Sequence, residues 1–249
     1  MDKNRGFTLV EMSIVLVIIS MIVAGIVGGS YLLGQYQLKV IISEANYYNT
    51  AMNGFNYQYG QLPGDFNAAS TVWPTCYTTP SNCNGNNNGM IDGATANQYA
   101  DENLHAWQHL YLAGFIEQKM SGYHNIAGRN TIGTNVPASK ISGAGWVIER
   151  FVPQDTVLYN VLIIGKGTTS VNNSPFLTPM QSQTIDKKID DGRPMTGRVR
   201  GAWSDAIGLN YVGYAVNTGC AISATNIYNN LTAYKYTKIC TMSFPLDFN

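Results

Sequence analysis

The hydrophobic pattern divides the first sixty residues from everything after them. From Phe7 to Leu38 one side chain is charged, Glu11. From Met12 to Leu33 the run is broken only by glycines, Ser13, Ser20, Ser30 and Tyr31. That is long enough to span a bilayer, which needs about 20 residues. The pattern then changes without a break. Ile41, Ala45, Tyr48, Met52, Phe55 and Tyr59 follow 4-3-4-3-4 spacing, one face of a helix. No proline occurs before Pro63, and Gly60-Gln-Leu-Pro63-Gly64-Asp65 supplies a stop. These features predict one helix from Phe7 to Tyr59, roughly 80 Å long at about 1.5 Å per residue. Its first half is apolar all round. Its second half is amphipathic and must bury its stripe against the rest of the chain.

Residues 61–249 read as one α+β head. Asp101 to Gly114 predicts a short amphipathic helix with acids at its start, Gly114 as C-terminal cap and Leu104, Trp107 and Leu110 as core face. Gly145–Val152 and Thr156–Ile164 predict antiparallel strands joined through Pro153-Gln-Asp155. Thr178 and Pro179 open a further helix running through Ile185 and Ile189 to Gly192. Asp190 and Asp191 fall at its C-terminal end, where the helix dipole disfavours acids. They call for Arg193, Arg198 or a cation, or else for solvent, the simpler reading.

Composition narrows the function. Formal net charge is zero and 12% of residues are charged, with no basic run or stripe, so nucleic-acid binding has no electrostatic footprint. The four cysteines allow three pairings; local pairs, Cys76 with Cys83 and Cys220 with Cys240, are the simplest. A membrane segment and a polar, weakly charged surface favour an oxidising compartment and disulfides. No CxxC suggests zinc. His105 and His109 have i, i+4 spacing but lack the glutamate of an HExxH site, so they are expected to be exposed helix histidines; His124 is the third histidine. Asn84, Asn86, Asn88, Gly89 and Asp92 imitate a calcium loop, with neutral amides in place of carboxylates and Thr95 where a glutamate belongs. Calcium is thus a candidate ligand, with Asp101 or Glu102 as supplementary acids. An Asn/Gly turn held by its own side chains is the favoured reading. In the apolar run Ala24 and Gly28, and Gly25 and Gly29, stand four apart, extended by Ser30 and Gly34. This is a small-xxx-small pattern for close helix packing, and also a soft segment. No nucleophile motif, phosphate loop or catalytic histidine–acid set is present, which argues against an enzyme.

The leader carries the most specific signal. Lys3, Arg5 and Gly6 precede the apolar run, and no small-residue cleavage site follows it, the reverse of a secretory signal peptide. The basic pair places the helix start on the cytoplasmic side and the head outside. Gly6-Phe7-Thr8-Leu9-Val10-Glu11, with its charged leader and apolar sequel, resembles the class III signal of type IV pilins and pseudopilins. The resemblance covers about the first sixty residues. It implies a pilin fold, with the long helix packed on an antiparallel sheet, and four parts: leader 1–6, membrane and filament-core half 7–34, amphipathic half 35–60, head 61–249. It implies cleavage after Gly6 by a prepilin peptidase and methylation of the new amine on Phe7. It further implies that Glu11 neutralises the amine of a neighbouring subunit, the partner a carboxylate in lipid requires. Many members have a proline in mid-helix where this chain has Gly28 and Gly29. Asp101–Gly114 resembles a segment of larger pilin-like proteins, and Cys220 to Cys240 the disulfide-bounded C-terminal region of many pilins. The implied partners are related subunits, the inner membrane and a pilus assembly platform. The implied destination is a cell-surface pilus or, for a secretion pseudopilin, a periplasmic filament. A membrane-anchored adhesion protein that does not polymerise is the alternative of a different class.

Overall fold

The computed structural model describes residues 8–76, 83–93, 101–123, 130–151, 159–166, 175–202, 219–222 and 225–246. Gly6, Phe7, His124, Thr95 and the Pro153–Asp155 link lie outside them. The chain divides into two compact units, Met1–Lys39 and Val40–Asn249.

In the first unit, helix α1 (Leu9–Tyr59) begins. From Leu9 to Leu33 every described side chain is exposed, among them Leu16, Ile26, Leu32 and Leu33. Its hydroxyls are tied back to the helix: Ser13 donates to the Val10 carbonyl (2.8 Å), Ser20 to Leu16 (2.7 Å) and Ser30 to Val27 (2.9 Å). A hydroxyl satisfied within its own helix can enter hydrocarbon at little expense. The segment is long and apolar enough to cross a membrane.

In the second unit the same helix behaves as a core element. Ile41, Ala45, Tyr48, Met52 and Phe55 are buried, the stripe read from the spacing. Burying a side chain such as Phe55 contributes about 2–3 kcal/mol. Tyr48 meets the Trp107 and Trp146 rings edge-on at 5.1 and 5.8 Å. Phe55 heads an aromatic cluster with Tyr59, Phe66, Trp73 and Phe115.

After the one-turn helix α2 (Ala69–Val72) comes α3 (Glu102–Leu112). Its end is a full Schellman cap. Gly114 has φ +79°, its N–H donates to the Tyr111 carbonyl, and the Phe115 N–H donates to Leu110. Strands β1 (Ala144–Phe151) and β2 (Tyr159–Lys166) pair antiparallel, with Trp146 opposite Ile164 and Ile148 opposite Leu162. Trp146, Val147 and Ile148 are all buried, so both sheet faces are covered. Helix α4 (Pro179–Ile189) starts with a capping box between Thr178 and Gln181. Three short strands complete the head's sheets with β6: β3 (Arg200–Ala202), β4 (Ala221–Ile222) and β5 (Ile227–Tyr228). Strand β6 (Thr241–Pro245) lies between β2 and β3, giving the order β1-β2-β6-β3, all antiparallel; β4 and β5 form a separate hairpin. A long N-terminal helix with an antiparallel sheet and added helices is an α+β arrangement of the pilin-like kind.

Candidate functional site

The start of α1 is built by four residues. Thr8 stands before the helix and Glu11 is its third residue. The Thr8 N–H and hydroxyl both donate to Glu11 Oε2, each at 2.8 Å, and the Glu11 N–H donates back to Thr8 Oγ1 at 3.2 Å. This is a capping box, and its Thr-x-x-Glu spacing is a sequence signature of one, additional to the assembly role that the resemblance implies for Glu11. It satisfies helix-start donors, and it places a carboxylate where the helix dipole favours negative charge. Among the described residues Oε1 of Glu11 has no hydrogen bond. The carboxylate therefore has one oxygen committed within its subunit and one available to a cation.

Further along, Gly25, Gly28, Gly29 and Gly34 have open surroundings: a Cβ at any of them would meet nothing within 4 Å. Nothing inside the subunit requires glycine there. Ala24 lies on the same exposed stretch.

The head holds a second carboxylate of α1. Glu44 is buried and accepts the Ser139 hydroxyl (2.6 Å), the Lys140 N–H (2.7 Å) and Trp146 Nε1–H (2.9 Å). It fastens the helix to the start of β1. Spacing within the sequence offers no hint of it, because its partners lie about a hundred residues away.

Both local cysteine pairs are disulfides, Cys76–Cys83 and Cys220–Cys240. The Asn-rich loop is folded around two carboxylates from outside it. Asp65 accepts the Asn88 N–H at one oxygen (3.0 Å) and the Gly89 N–H at the other (2.8 Å). Glu102 accepts the N–H groups of Asn86 and Asp92, each at 2.9 Å. Burial raises the pKa of both acids, partly offset by those amides. The loop's own side chains are also engaged. Asn84 Oδ1 takes the Ser70 N–H, Asn86 and Asn88 close turns on the N–H groups of Asn88 and Met90, and Asn88 Nδ2 donates to Asp92. A calcium ion would have to draw these oxygens away from existing donors, and Asn84 points to Ser70. The loop's shape follows from these hydrogen bonds.

Two expectations require correction. His105 and His109 are buried, not exposed, because α3 is enclosed on every side from Glu102 to Leu110 rather than amphipathic. His109 Nδ1 accepts the Gly64 N–H, which leaves Nε2–H to donate to the Cys83 carbonyl, both at 2.9 Å. It is a neutral structural bridge between the end of α1 and the first disulfide. Burial holds His105 down to about 4 and His109 to about 3. Asp190 and Asp191 are the second case. The arginines foreseen for them, Arg193 and Arg198, are partners through their backbone N–H groups. Asp190 accepts the backbone N–H groups of Arg198 and Val199; Asp191 accepts the Arg193 N–H (2.8 Å) and the Thr196 hydroxyl (2.7 Å). Together with buried Asp186 they bring three carboxylates close together. Asp186 accepts the Tyr228 hydroxyl (2.7 Å) and the Gly192 N–H (3.0 Å).

Residues 1–27 match the family model of the prokaryotic N-terminal methylation motif. No curated protein and no solved structure matches the chain. The matched segment covers the leader, the capping box and the first apolar turns, the same residues whose geometry sets Glu11 apart. The chain therefore carries at its N-terminus the prokaryotic N-terminal methylation motif, the class III prepilin signal of type IV pilins and pseudopilins.

Proposed function

We propose that this chain is a structural subunit of a type IV pilus-like filament. It enters the inner membrane through the apolar half of α1, is cut after Gly6 and methylated on Phe7, and polymerises through its N-terminal helices. One observation carries the reading: an apolar helix that begins inside the methylation motif, with every described side chain exposed from Leu9 to Leu33, contains a single acid, Glu11. A helix of this kind is stable either in lipid or in a bundle of its own copies. The acid selects between them, because a neighbour's Phe7 amine offers a cation that the hydrocarbon does not. The open faces at Ala24, Gly25, Gly28 and Gly29 suit close approach of those helices. Heterologous contacts that do not close generate a filament, with the α+β heads on its outside.

Glu11→Ala tests this. Processing is expected to continue, with loss of residues 1–6, while filaments disappear. Normal filaments from that variant would overturn the proposal, as would a retained leader in wild-type filaments. Electron microscopy of sheared cell surfaces separates a surface pilus from a periplasmic secretion pseudopilus, since only the former appears in the sheared fraction at natural expression.

A further inference from the structure

The sequence contains three Asn-Gly pairs, Asn53-Gly54, Asn84-Gly85 and Asn88-Gly89. An asparagine followed by glycine can lose its side-chain amide by attack of the next backbone nitrogen on the side-chain carbonyl. Glycine hinders that approach least, because it has no Cβ. The fold treats the three pairs differently. Gly54 lies inside α1, where the helical ladder fixes its N–H, and Asn53 Nδ2 donates back to the Asn49 carbonyl at 3.0 Å. Gly85 donates its N–H to the Phe66 carbonyl (2.9 Å), an oxygen that takes up no proton, and a Cβ there would collide with the Asp65 backbone. The amide of Asn84 is held elsewhere, with Oδ1 on the Ser70 N–H (2.8 Å).

Asn88-Gly89 is built otherwise. Both residues are exposed, Gly89 has φ +84°, and a Cβ there would meet nothing within 4 Å. The Gly89 N–H donates to Asp65 Oδ2 at 2.8 Å, so the nucleophile already touches a carboxylate that can take its proton. Asn88 Oδ1 accepts the Met90 N–H at 2.8 Å. That bond folds the side chain back over the Gly89 nitrogen, and it puts a donor on the oxygen where negative charge develops during attack. Asn88 Nδ2, the leaving group, rests on Asp92 Oδ2 in an exposed hydrogen bond of 3.0 Å.

We infer that Asn88 is a site of self-catalysed deamidation, with Asp65 as the base and the Met90 N–H as the oxyanion donor. The Gly89 nitrogen bonds to Asn88 Cγ as its proton passes to Asp65 Oδ2. The Cγ–Nδ2 bond then breaks, and Nδ2 leaves as ammonia after that proton reaches it through water. A water molecule opens the resulting cyclic imide at either carbonyl, giving aspartate or isoaspartate at position 88. The net change is amide plus water to acid plus ammonia, with no oxidation or reduction. The product replaces the Nδ2 donor with a carboxylate facing Asp92, close to Asp65, so like charges meet and the loop loosens.

The test incubates the full chain in detergent, with a parallel sample in urea. Peptide mapping by mass spectrometry follows amide and acid at each of the three asparagines. In the native chain Asn88 is expected to convert about tenfold or more faster than Asn84 and Asn53, and faster than Asn88 itself in urea, a modest share of what a positioned base contributes. In urea the three pairs should react at similar rates. Asp65→Asn, checked as folded by near-ultraviolet circular dichroism, should slow Asn88 about tenfold or more. If that variant does not fold, the native and urea rates of the natural chain decide alone. Equal native rates at the three pairs would overturn the inference, as would slower conversion of Asn88 in the native chain than in urea. An unchanged Asn88 rate in folded Asp65→Asn would also overturn it, since the carboxylate would then not be the base.

Discussion

Helix α1 places two glutamates in two different solvents, and the contrast explains both. Glu11 lies on a stretch where every described side chain is exposed, and its hydrogen-bond partners among the described residues come from Thr8, three residues away. Glu44 lies in a packed core, and its partners come from Ser139, Lys140 and Trp146. The first acid uses one oxygen and keeps the other; the second uses both. The glycines repeat the contrast. A Cβ at Gly28 would meet nothing, whereas one at Gly54 would lie 2.6 Å from the Phe115 ring. In the head, polar groups and glycines are explained by the subunit itself. In the apolar half the serine hydroxyls are satisfied within the helix, but nothing among the described residues accounts for the open glycines or the second oxygen of Glu11.

The largest effect expected from this contrast is at Glu44. Glu44→Ala strands the buried Trp146 indole N–H and removes the acceptor for Ser139 and Lys140. A loss of about 2–4 kcal/mol follows from leaving buried donors unsatisfied. Thermal unfolding of the head in detergent, followed by near-ultraviolet circular dichroism, measures it. Glu44→Gln, which retains an acceptor, should lose less. Glu11→Ala should leave the same transition within about 0.5 kcal/mol of wild type, as expected away from a core. A comparable loss from both alanines would abolish the distinction between the two acids.

The glycine comparison predicts the next largest difference. Gly54→Val pushes into the Phe115 ring, whose carbonyl also accepts the Tyr47 hydroxyl. The half-buried ring can move, so the expected cost is about 1–3 kcal/mol, the usual range for overpacking. Gly28→Val should not shift the head's melting transition, yet it should lower filament yield if small faces are needed between subunits. Wild-type filament yield from Gly28→Val would remove the packing role and leave only the softness of glycine in a helix.

How much of this was legible in the sequence follows the range of each interaction. The long helix, its change from uniform to striped burial, the Schellman glycine at Gly114 and the Thr178–Pro179 start all rest on contacts within a few residues. Periodicity and cap chemistry reveal such contacts directly. The pattern of α3 predicts an amphipathic helix, because histidine and glutamine commonly face water. Its burial depends on Gly64 and the Cys83 carbonyl, which local pattern cannot supply. Asp65 looked like part of a helix stop; its service to Asn88 and Gly89 is a tertiary fact. Strands β3, β4 and β5 are only two or three residues long, too short to show a period of two. Glu11 stands out in the sequence as the one acid of an apolar run, and its capping box is local too, carried by the Thr-x-x-Glu spacing.

Acidity sharpens the comparison in a different way, through a third buried carboxylate. Burial is the main cause that raises Asp186 to about 6, with Asp190 and Asp191 adding to it; the Tyr228 hydroxyl and the Gly192 N–H oppose it. The folded state therefore holds its proton where the unfolded chain has lost it. Its contribution to stability is fully present below about pH 4, near the unfolded value, and is lost as pH rises through about 6. Between pH 7 and pH 5 the head should gain about 1 kcal/mol from this group. Asp65 and Glu102, also raised by burial, act in the same direction. Asp186→Asn should flatten the dependence in the head's melting temperature. An unchanged slope in that variant would assign the effect to the Asn-rich loop instead.

The smallest expected effect puts the same device in both settings. Thr178 and Gln181 form a half-buried capping box at α4 of the head, as Thr8 and Glu11 form an exposed one at α1. In water a lost cap can be replaced in part by solvent, so Thr178→Ala should lower the head's stability by about 1 kcal/mol or less. Helix α4 also carries Asp186 and Gln183, which reach Tyr228 and Asn230 in the disulfide-bounded C-terminal region. Fraying of its first turn should be felt there only weakly, because Asp186 lies two turns further on. Amide exchange resolved by residue distinguishes the outcomes. Faster exchange confined to the first turn of α4 supports a local cap. Faster exchange extending to Tyr228 would show that the box holds the C-terminal hairpin in place. Filament yield should stay at the wild-type level in Thr178→Ala, because this cap lies in the head and not on the apolar half of α1.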